Sequence, residues 1–173
     1  MQGATRDEQH VTPEGKPVGD RIEGVELRPA VTHHDERGEL SEAYNPAWGV
    51  HPDPLVYVYL TTIRPGRIKG WVMHDLQDDR VFVMFGIVKI VLFDARGGSP
   101  TKGMINEFHV GERNRGLLVV PRGVYHAFQN VGLVDAAFIN MPTRPYDHQN
   151  PDKTRLPIDT DQIPYRFNDR LGW

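Results

Sequence analysis

The sequence contains no cysteine, so it forms neither a disulfide nor a thiolate metal site. No apolar run approaches the about 18 residues that a membrane span requires, and the first ten residues contain no apolar signal core. A basic excess is also missing, since 20 Lys and Arg stand against 23 Asp and Glu for a net charge of -3. We therefore expect a cytoplasmic protein that binds neither membranes nor nucleic acid.

Helical periodicity is equally scarce, and short apolar runs separated by turn residues take its place. The 17 Gly and 14 Pro are spread along the chain, which favours many short strands. Strands at a spacing of roughly 8–12 residues are typical of a sandwich or barrel. The predicted strands are Ile22–Leu27, Gly38–Tyr44, Leu55–Ile63, Lys69–His74, Arg80–Phe85, Val88–Phe93, Ile105–Val110, Leu117–Val120, Ala127–Val131 and Ala136–Met141.

The length of 173 residues suits a single domain with a sizeable core. Residues 1–20 are polar, and we interpret them as a flexible N-terminal arm. Residues 21–173 form the predicted domain, whose last thirty residues are rich in proline and are expected to wrap it as an extended tail. No internal repeat or low-complexity linker divides this stretch.

The run from Pro121 to Asn130 resembles the second signature of the cupin β-barrel, Pro-x-Gly-x-x-His-x-x-x-Asn. Pro121 and Gly123 predict a tight turn between two strands, because Pro presets φ and Gly accepts conformations that a Cβ forbids. His126 follows on the second strand, where it faces the barrel interior. The resemblance implies an all-β fold, a cupin-type double-stranded β-helix (jelly-roll barrel) with few short helices.

The upstream cupin signature is present in reduced form. His74, Asp79 and Gly86 match its second histidine, its carboxylate and its glycine, but Val72 occupies the place of the first histidine. Two imidazoles and a carboxylate hold a divalent ion with open coordination sites, so any metal would be bound by His74, Asp79 and His126. Because one ligand is lost, we expect no bound metal and no cofactor.

A closer resemblance covers about residues 32 to 150. The chain is similar to the dTDP-4-dehydrorhamnose 3,5-epimerase family in the order and spacing of several motifs. Its members are metal-free dimers that act on nucleotide-linked 4-keto sugars. The matching motifs are Asp35-x-Arg37-Gly38-x-x-x-Glu42, Lys69-Gly70, Asp94-x-Arg96-x-x-Ser99-Pro100-Thr101-x-Gly103, the Pro-x-Gly-x-x-His turn, and Pro145-Tyr146.

The resemblance implies epimerisation by proton abstraction next to a ketone, which needs a base and an acid on opposite sugar faces. The family's catalytic histidine aligns with Val72, which departs from the pattern. His74 lies two residues on and therefore on the same face of the strand, so we predict it as the base. Tyr146 matches the family's acid, since a phenol is protonated at pH 7.

The same resemblance implies the substrate-binding residues. Lys69 replaces an arginine that contacts the substrate, and a lysine keeps the charge without the bidentate fork. Asp159 and Asp161 are candidates for the aspartate that orients the catalytic histidine. The predicted substrate-binding residues are Lys69, His126, Arg37, Glu42, Gln77 and Arg80. Of these, Arg37 and Glu42 match a segment that crosses to the partner subunit in the family, and Gln77 and Arg80 are expected at the cavity mouth.

Each of these residues also has a structural interpretation, as packing, a turn or a solvated surface group. Two other functions therefore stay open: a metal-dependent small-molecule cupin enzyme, and a non-catalytic cupin that binds a sugar nucleotide. A homodimer is expected from the family and from the apolar run Leu55–Leu60, which would otherwise leave an exposed strand edge.

Overall fold

The computed structural model describes residues 6, 9–14 and 18–167. Part of the predicted N-terminal arm and the end of the predicted tail lie outside these residues. The strands are β1 Glu26–Pro29, β2 Thr32–Asp35, β3 Gly38–Ser41, β4 Tyr59–Ile63, β5 Ile68–Met73, β6 Asp79–Phe85, β7 Ile87–Asp94, β8 Ile105–Gly111, β9 Gly116–Val120, β10 Val124–Asn130, β11 Ala136–Asn140 and β12 Thr154–Arg155.

Two five-stranded sheets make up the body of the molecule. The first sheet has the order β1-β9-β6-β11-β4, and the second has the order β12-β5-β10-β7-β8. All strand pairs are antiparallel, and β2 pairs with β3 as a separate hairpin. The described residues contain one 3-10 turn, Pro46–Trp48, and no longer helix. This architecture confirms the all-β double-stranded β-helix.

The predicted strands recover most of the two sheets, with differences at polar or terminal positions. Ile22 is buried in the core but precedes β1, which begins only at Glu26. Strand β2 was not predicted, because Thr-His-His-Asp has no apolar alternation and pairs only with β3. Strand β12 was also missed, since it is two exposed residues long.

The core lies between the two sheets and ends at a pair of aromatic rings. Inward-facing Val, Ile and Leu side chains of both sheets form one buried cluster. Phe128 and Phe138 stack at the border of this cluster with ring centroids 4.8 Å apart. Both rings also line a cavity on their other side, so the pair separates the dry core from a polar space.

The described part of the C-terminal tail covers the outer face of the second sheet. Ile163 packs on Trp71, Val91 and Ala127, which point away from the core. Tyr165 meets Trp71 edge-on with centroids 6.1 Å apart. The middle of this sheet is therefore covered on both faces, by the core on one side and by the tail on the other.

The Asp94–Gly103 motif folds into a loop around one buried carboxylate. The carboxylate of Asp94 accepts hydrogen bonds from the backbone N and side chain of Arg96 and from the hydroxyls of Ser99 and Thr101, at 2.6 to 3.1 Å. Burial alone would raise the pKa of Asp94, but these donors outweigh it and hold the pKa well below its usual range. The motif is thus a structural loop, and the carboxylate of Asp94 at its centre is fully hydrogen-bonded by the loop itself.

No helix of the described residues is long and apolar enough to span a membrane.

Candidate active site

A cavity of about 390 Å³ opens between the two sheets. The first sheet contributes one wall and the second sheet, with β12 and the residues beside it, contributes the other. The lining residues are Tyr59, Thr61, Asp79, Phe138 and Asn140 from the first sheet, and Ile68, Lys69, Gly70, Val72, His74, His126, Phe128, Lys153 and Arg155 from the second sheet and the segments that adjoin it.

An irregularity in β5 determines which of its side chains face the cavity. Strand β10 pairs His126 with Val72 but Phe128 with Lys69, so β5 has one extra residue between these pairs. Such a bulge shifts the side-chain alternation, and Lys69 and Val72 both line the cavity despite their odd separation. Gly70 lies within the bulge at φ +153°, where a Cβ would stand 2.4 Å from that of Ala127.

The turn before β10 delivers His126 to the cavity wall as expected. Gly123 has φ +77°, a conformation that favours glycine. His126 is buried against Phe128, with ring centroids 5.5 Å apart. Asn130, the last residue of the signature, donates to the carbonyls of Ile63 and Val134 at 2.7 Å and so closes the far end of the strand.

His74 is held by the chain segment that follows β11. Its Nδ1 hydrogen-bonds to the backbone carbonyl of Asp152. The carboxylate of Asp152 accepts from the backbone N–H groups of Asp75, Leu76 and Gln77 at 2.9 to 3.2 Å, which fixes the loop after β5. Because a carbonyl only accepts, Nδ1 of His74 carries a proton, and in the neutral ring Nε2 is the nitrogen that presents the lone pair.

Asp79 lies between the two histidines. Its Oδ2 is 3.6 Å from Nε2 of His74 and 3.5 Å from Nε2 of His126, and the two rings are 5.5 Å apart. Burial lowers the pKa of His126 to about 4, although the charge of Asp79 opposes this. His126 is therefore neutral at pH 7, and the three side chains are brought together at the base of the cavity.

A phenol faces these groups from the first sheet. The Oη of Tyr59 accepts a hydrogen bond from Nδ2 of Asn140 at 2.8 Å, so its own proton remains free to donate. Burial and the nearby Asp79 raise the pKa of Tyr59 to about 12, which keeps the phenol protonated. Oδ1 of Asn140 is buried without a hydrogen-bond partner among the described residues.

Three cations surround the cavity mouth. Lys69, Lys153 and Arg155 line it, and none of them forms an ion pair within the described part of the chain. Burial lowers the pKa of Lys153, and the charge of Arg155 adds to this effect. Lys153 and Arg155 were missed from the sequence because they lie in an irregular tail whose pairing with β5 extends over two residues.

Arg80 and Gln77 do not lie at the cavity mouth, which corrects the expectation for both. Arg80 is fully buried, and its guanidinium donates to the carbonyls of Met141, Asp53 and Pro54 at 2.8 to 3.0 Å. The guanidinium donors of Arg80 are thus engaged in holding loops together. Gln77 is buried, does not line the cavity, and donates to Oδ1 of Asp79 at 3.0 Å.

Tyr146 does not line the cavity either. It is 41% exposed and contacts Lys153, whose Nζ is 5.9 Å from the ring centroid. Its predicted role as the acid therefore lacks support from the geometry, whereas Tyr59 is inside the cavity. Tyr59 lies in the predicted strand Leu55–Ile63, and no motif of the sequence marked it as a site residue.

The remaining predicted residues lie away from this cavity. Arg37 pairs with Asp35 at the exposed tip of the β2–β3 hairpin, and Glu42 is exposed just after β3. Asp161 pairs with Arg166. Neither it nor Asp159 reaches His74, whose orienting partner is the carbonyl of Asp152.

A second depression, of about 840 Å³, lies beside the same hairpin. It is larger, but its carboxylates Glu39 and Glu112 are exposed, and its largely buried Arg115 is paired with Glu39. The smaller cavity contains the buried and convergent polar groups, which makes it the candidate site.

The fold and the cavity together define a cupin-type barrel protein with an internal polar ligand site. The model of a family described as dTDP-4-dehydrorhamnose 3,5-epimerase matches residues 20–165. The chain belongs to the dTDP-4-dehydrorhamnose 3,5-epimerase family.

Two relatives agree with this assignment. The chain is 34% identical over 140 residues to the probable low-salt glycan biosynthesis epimerase Agl13 of Haloferax volcanii, covering 80% of this chain and 89% of the relative. It is 32% identical over 152 residues to the spore coat polysaccharide biosynthesis protein SpsL of Bacillus subtilis, covering 85% and 97%.

Solved structures show the same fold. A dTDP sugar isomerase from Desulfovibrio desulfuricans superimposes with a TM-score of 0.78 at 26% identity, over 83% of this chain and 90% of that one. ChmJ, a 3'-monoepimerase from Streptomyces bikiniensis, superimposes with a TM-score of 0.76 at 21% identity, over 87% and 78%.

Proposed function

We propose that this protein is an epimerase of nucleotide-linked 4-keto-6-deoxy sugars. Family membership supports the substrate class, and the names of the two relatives support a role in glycan or polysaccharide biosynthesis. The observation that carries the chemistry is the orientation of His74. Its Nδ1 is engaged by a carbonyl, so the lone pair of Nε2 is directed at the cavity.

In the proposed reaction, Nε2 of His74 removes the proton from C3 or C5 and the electron pair moves onto the C4 oxygen as an enolate. Tyr59 lies on the opposing sheet and donates its phenolic proton to the other face of the same carbon. Its high pKa does not prevent this, because an enolate carbon is a far stronger base than a phenolate. Exchange with water then deprotonates His74 and reprotonates Tyr59, and no oxidation occurs.

We propose that Lys69, Lys153 and Arg155 bind the diphosphate of the nucleotide. They are the unpaired cations of the cavity mouth, and a diphosphate brings the opposite charge. His126 and the free Oδ1 of Asn140 would then contact sugar hydroxyl groups deeper in the cavity.

A homodimer remains part of this proposal. Strand β4 is an edge of its sheet and exposes Leu60 at 59%. The chain that leads into it exposes the apolar side chains of Leu55, Val56 and Val58. A second copy would cover this edge. Arg37 and Glu42, which lie away from the cavity of their own chain, would then be available to the partner. A cytoplasmic location is also kept as a prediction.

Isotope exchange tests the base directly. A dTDP-linked 4-keto-6-deoxyhexose is incubated with the protein in D₂O and EDTA, and NMR follows the loss of the C3 and C5 proton signals. We expect His74→Gln to slow exchange by about 100-fold or more. The exposed strand histidine variant His109→Gln should exchange at the wild-type rate. Unchanged exchange in His74→Gln would show that another group is the base.

Titration with dTDP tests the cations separately. Lys153→Ala and Arg155→Ala should each weaken dTDP binding by about tenfold at low salt, and the defect should shrink as salt screens the charges. Lys102→Ala removes an exposed lysine outside the cavity and serves as the control. Equal affinity in all three variants would contradict the assignment.

One observation favours a non-catalytic binding protein as the second candidate. Val72 stands where the family resemblance places the catalytic histidine, and it lines the cavity. Tight dTDP binding by a wild-type protein that exchanges neither proton would establish this second candidate.

A further inference from the structure

The short strand β12 sets two of the cavity cations at different levels along β5. It pairs Arg155 with Val72 in antiparallel register, and the same register, continued to Lys153, sets this residue beside His74. Alternate residues of a strand lie on the same face, and both Lys153 and Arg155 line the cavity. Lys153 is therefore the cation next to the proposed base, whereas Arg155 lies two residues further along β5, on the side of Lys69.

The charge of Lys153 acts on the groups that surround the proposed base. Burial and the charge of Arg155 lower the pKa of Lys153, and the negative charge of Asp79 opposes them. The pKa of His126 is lowered mainly by burial, and the positive charge of Lys153 contributes to this effect. Both effects agree with the register, because they require the ammonium group to lie near the inner part of the cavity. Its Nζ lies 5.9 Å from the ring centroid of Tyr146, at the open side of the same space.

Proton abstraction next to a ketone creates a negative charge that needs a partner. In the proposed reaction this charge arises on the C4 oxygen, which belongs to the carbon adjacent to the one that His74 attacks. Oδ2 of Asp79 lies only 3.6 Å from Nε2 of His74, so a carboxylate opposes a second negative charge in this place. A positively charged donor at the C4 oxygen would offset both the new charge and this repulsion.

The other groups that line the cavity are less suited to this role. The proton of Tyr59 is used on carbon in the proposed reaction, and His126 is neutral at pH 7. Lys69 lies on the far side of the β5 bulge from His74, and Arg155 lies between these two levels. Among the described residues that line the cavity, Lys153 is thus the cation closest in register to the base.

We propose that Lys153 is a further catalytic residue, whose ammonium group donates a hydrogen bond to the C4 oxygen and stabilises the enolate. The proton from C3 or C5 goes to Nε2 of His74, and the electron pair of the broken C–H bond moves onto the C4 oxygen. Lys153 keeps its protons throughout the step. This inference rests on the proposed function and deepens it, because one of the three cations acts on the sugar as well as attracting the diphosphate at longer range.

Kinetics of exchange in D₂O separate the two roles of the cations. The rate is measured against substrate concentration for Lys153→Met and Arg155→Met. Lys153→Met should lower kcat by about 100- to 1000-fold, the loss that follows removal of one oxyanion donor. Arg155→Met should act mainly through KM. Lys153→Arg keeps a positive donor and should recover part of the lost kcat. Lys102→Met removes an exposed lysine outside the cavity and should match the wild type.

A carbon NMR measurement locates the charge without turnover. The 4-keto sugar nucleotide carries ¹³C at C4 and is bound at saturation to His74→Gln, which lacks the proposed base. A cation at the carbonyl oxygen polarises the bond, so the C4 signal should move downfield on binding. We expect this shift to disappear when Lys153→Met is added to His74→Gln. It should persist when Arg155→Met is added instead.

The outcomes distinguish this inference from the proposed function. Equal kcat losses in Lys153→Met and Arg155→Met, or a C4 signal that does not depend on Lys153, would overturn the inference and leave the epimerase in place. Absence of exchange by the wild type would overturn the proposed function, and the C4 signal would still decide whether Lys153 contacts the carbonyl oxygen. Circular dichroism checks the fold of each variant, and Lys153→Gln provides a second neutral variant if Lys153→Met does not fold.

Discussion

Two buried aspartates of this protein differ in what surrounds them. Asp94 is enclosed by five donor groups supplied by Arg96, Ser99 and Thr101. Asp79 is equally buried, but it has one side-chain donor, Gln77, and otherwise faces the nitrogen atoms of two histidines. A carboxylate that is satisfied by its own loop contributes to stability, whereas one that lacks donors is prepared for a ligand.

The origin of the surrounding groups differs in the same way. Every donor to Asp94 lies within seven residues of it, so the loop forms from a local motif. Gln77 and His74 also lie within five residues of Asp79, but His126 comes from β10 in the other sheet, so the complete group meets only when both sheets are assembled. The first site therefore belongs to the stability of the fold, and the second depends on the completed barrel.

The largest expected effect is that of Asp94→Asn. The amide removes the charge that faces Arg96 and directs N–H donors at hydroxyl groups that now donate to it. We expect a loss of about 3 kcal/mol in the free energy of unfolding, measured by urea denaturation. A loss below about 1 kcal/mol would remove the contrast between the two aspartates.

The second-largest effect should come from acid, which weakens the Asp94–Gly103 loop. The folded-state pKa of Asp94 is depressed below the unfolded value of about 3.9, so its contribution is present above about pH 4 and is lost as the pH falls through the folded pKa. The difference in unfolding free energy between the wild type and Asp94→Asn should shrink below about pH 4. The exposed variant Asp159→Asn should follow the wild type, and a pH-independent difference would contradict this account.

Ser99→Ala should have a smaller effect. It removes one hydroxyl donor, 2.6 Å from Oδ2 of Asp94, and leaves the other donors in place. We expect a loss of about 1.5 kcal/mol by urea denaturation, as for a hydrogen bond to a charged group. Thr101→Val removes the second hydroxyl and should cost a similar amount. If both variants are as stable as the wild type, the loop does not depend on these hydroxyls.

The smallest effect on stability should come from Asp79→Asn in EDTA. The amide oxygen can still accept from Gln77, and its N–H donors meet the Nε2 atoms of His74 and His126. We expect the free energy of unfolding to change by less than about 1 kcal/mol. A stability loss as large as that of Asp94→Asn would make Asp79 a structural residue too.

The sequence predicts the parts of the site that depend on local chemistry. The Pro-x-Gly turn places His126, and the strand alternation that relates Val72 to His74 also holds in the structure. Alternation does not account for Lys69, which reaches the cavity through the bulge in β5. A bulge depends on how two strands pair, and the residues of one strand do not specify that pairing.

The residues that sequence reasoning missed were placed by long-range contacts. Lys153 and Arg155 lie in a segment without apolar periodicity, and only its docking against β5 brings them to the cavity. Tyr59 reaches the cavity because β4 pairs with β11, a long-range contact that no local motif of the sequence specifies. Arg80 is a charged residue in an apolar strand, and its saturation by carbonyl groups is visible only in three dimensions.

The docking of Asp152 has a consequence for proteolysis. Its carbonyl orients His74, and its carboxylate holds the backbone of the three residues that follow His74. The chain just after Asp152 brings Lys153 and Arg155 to the cavity mouth. A protease cut in the exposed stretch 144–150 would leave both sheets intact but release the chain segment around Asp152 from its attachment to β11. We expect the cleaved protein to remain folded. The ring of His74 would lose its orienting hydrogen bond, and the cavity mouth would lose the charges of Lys153 and Arg155 at the same time.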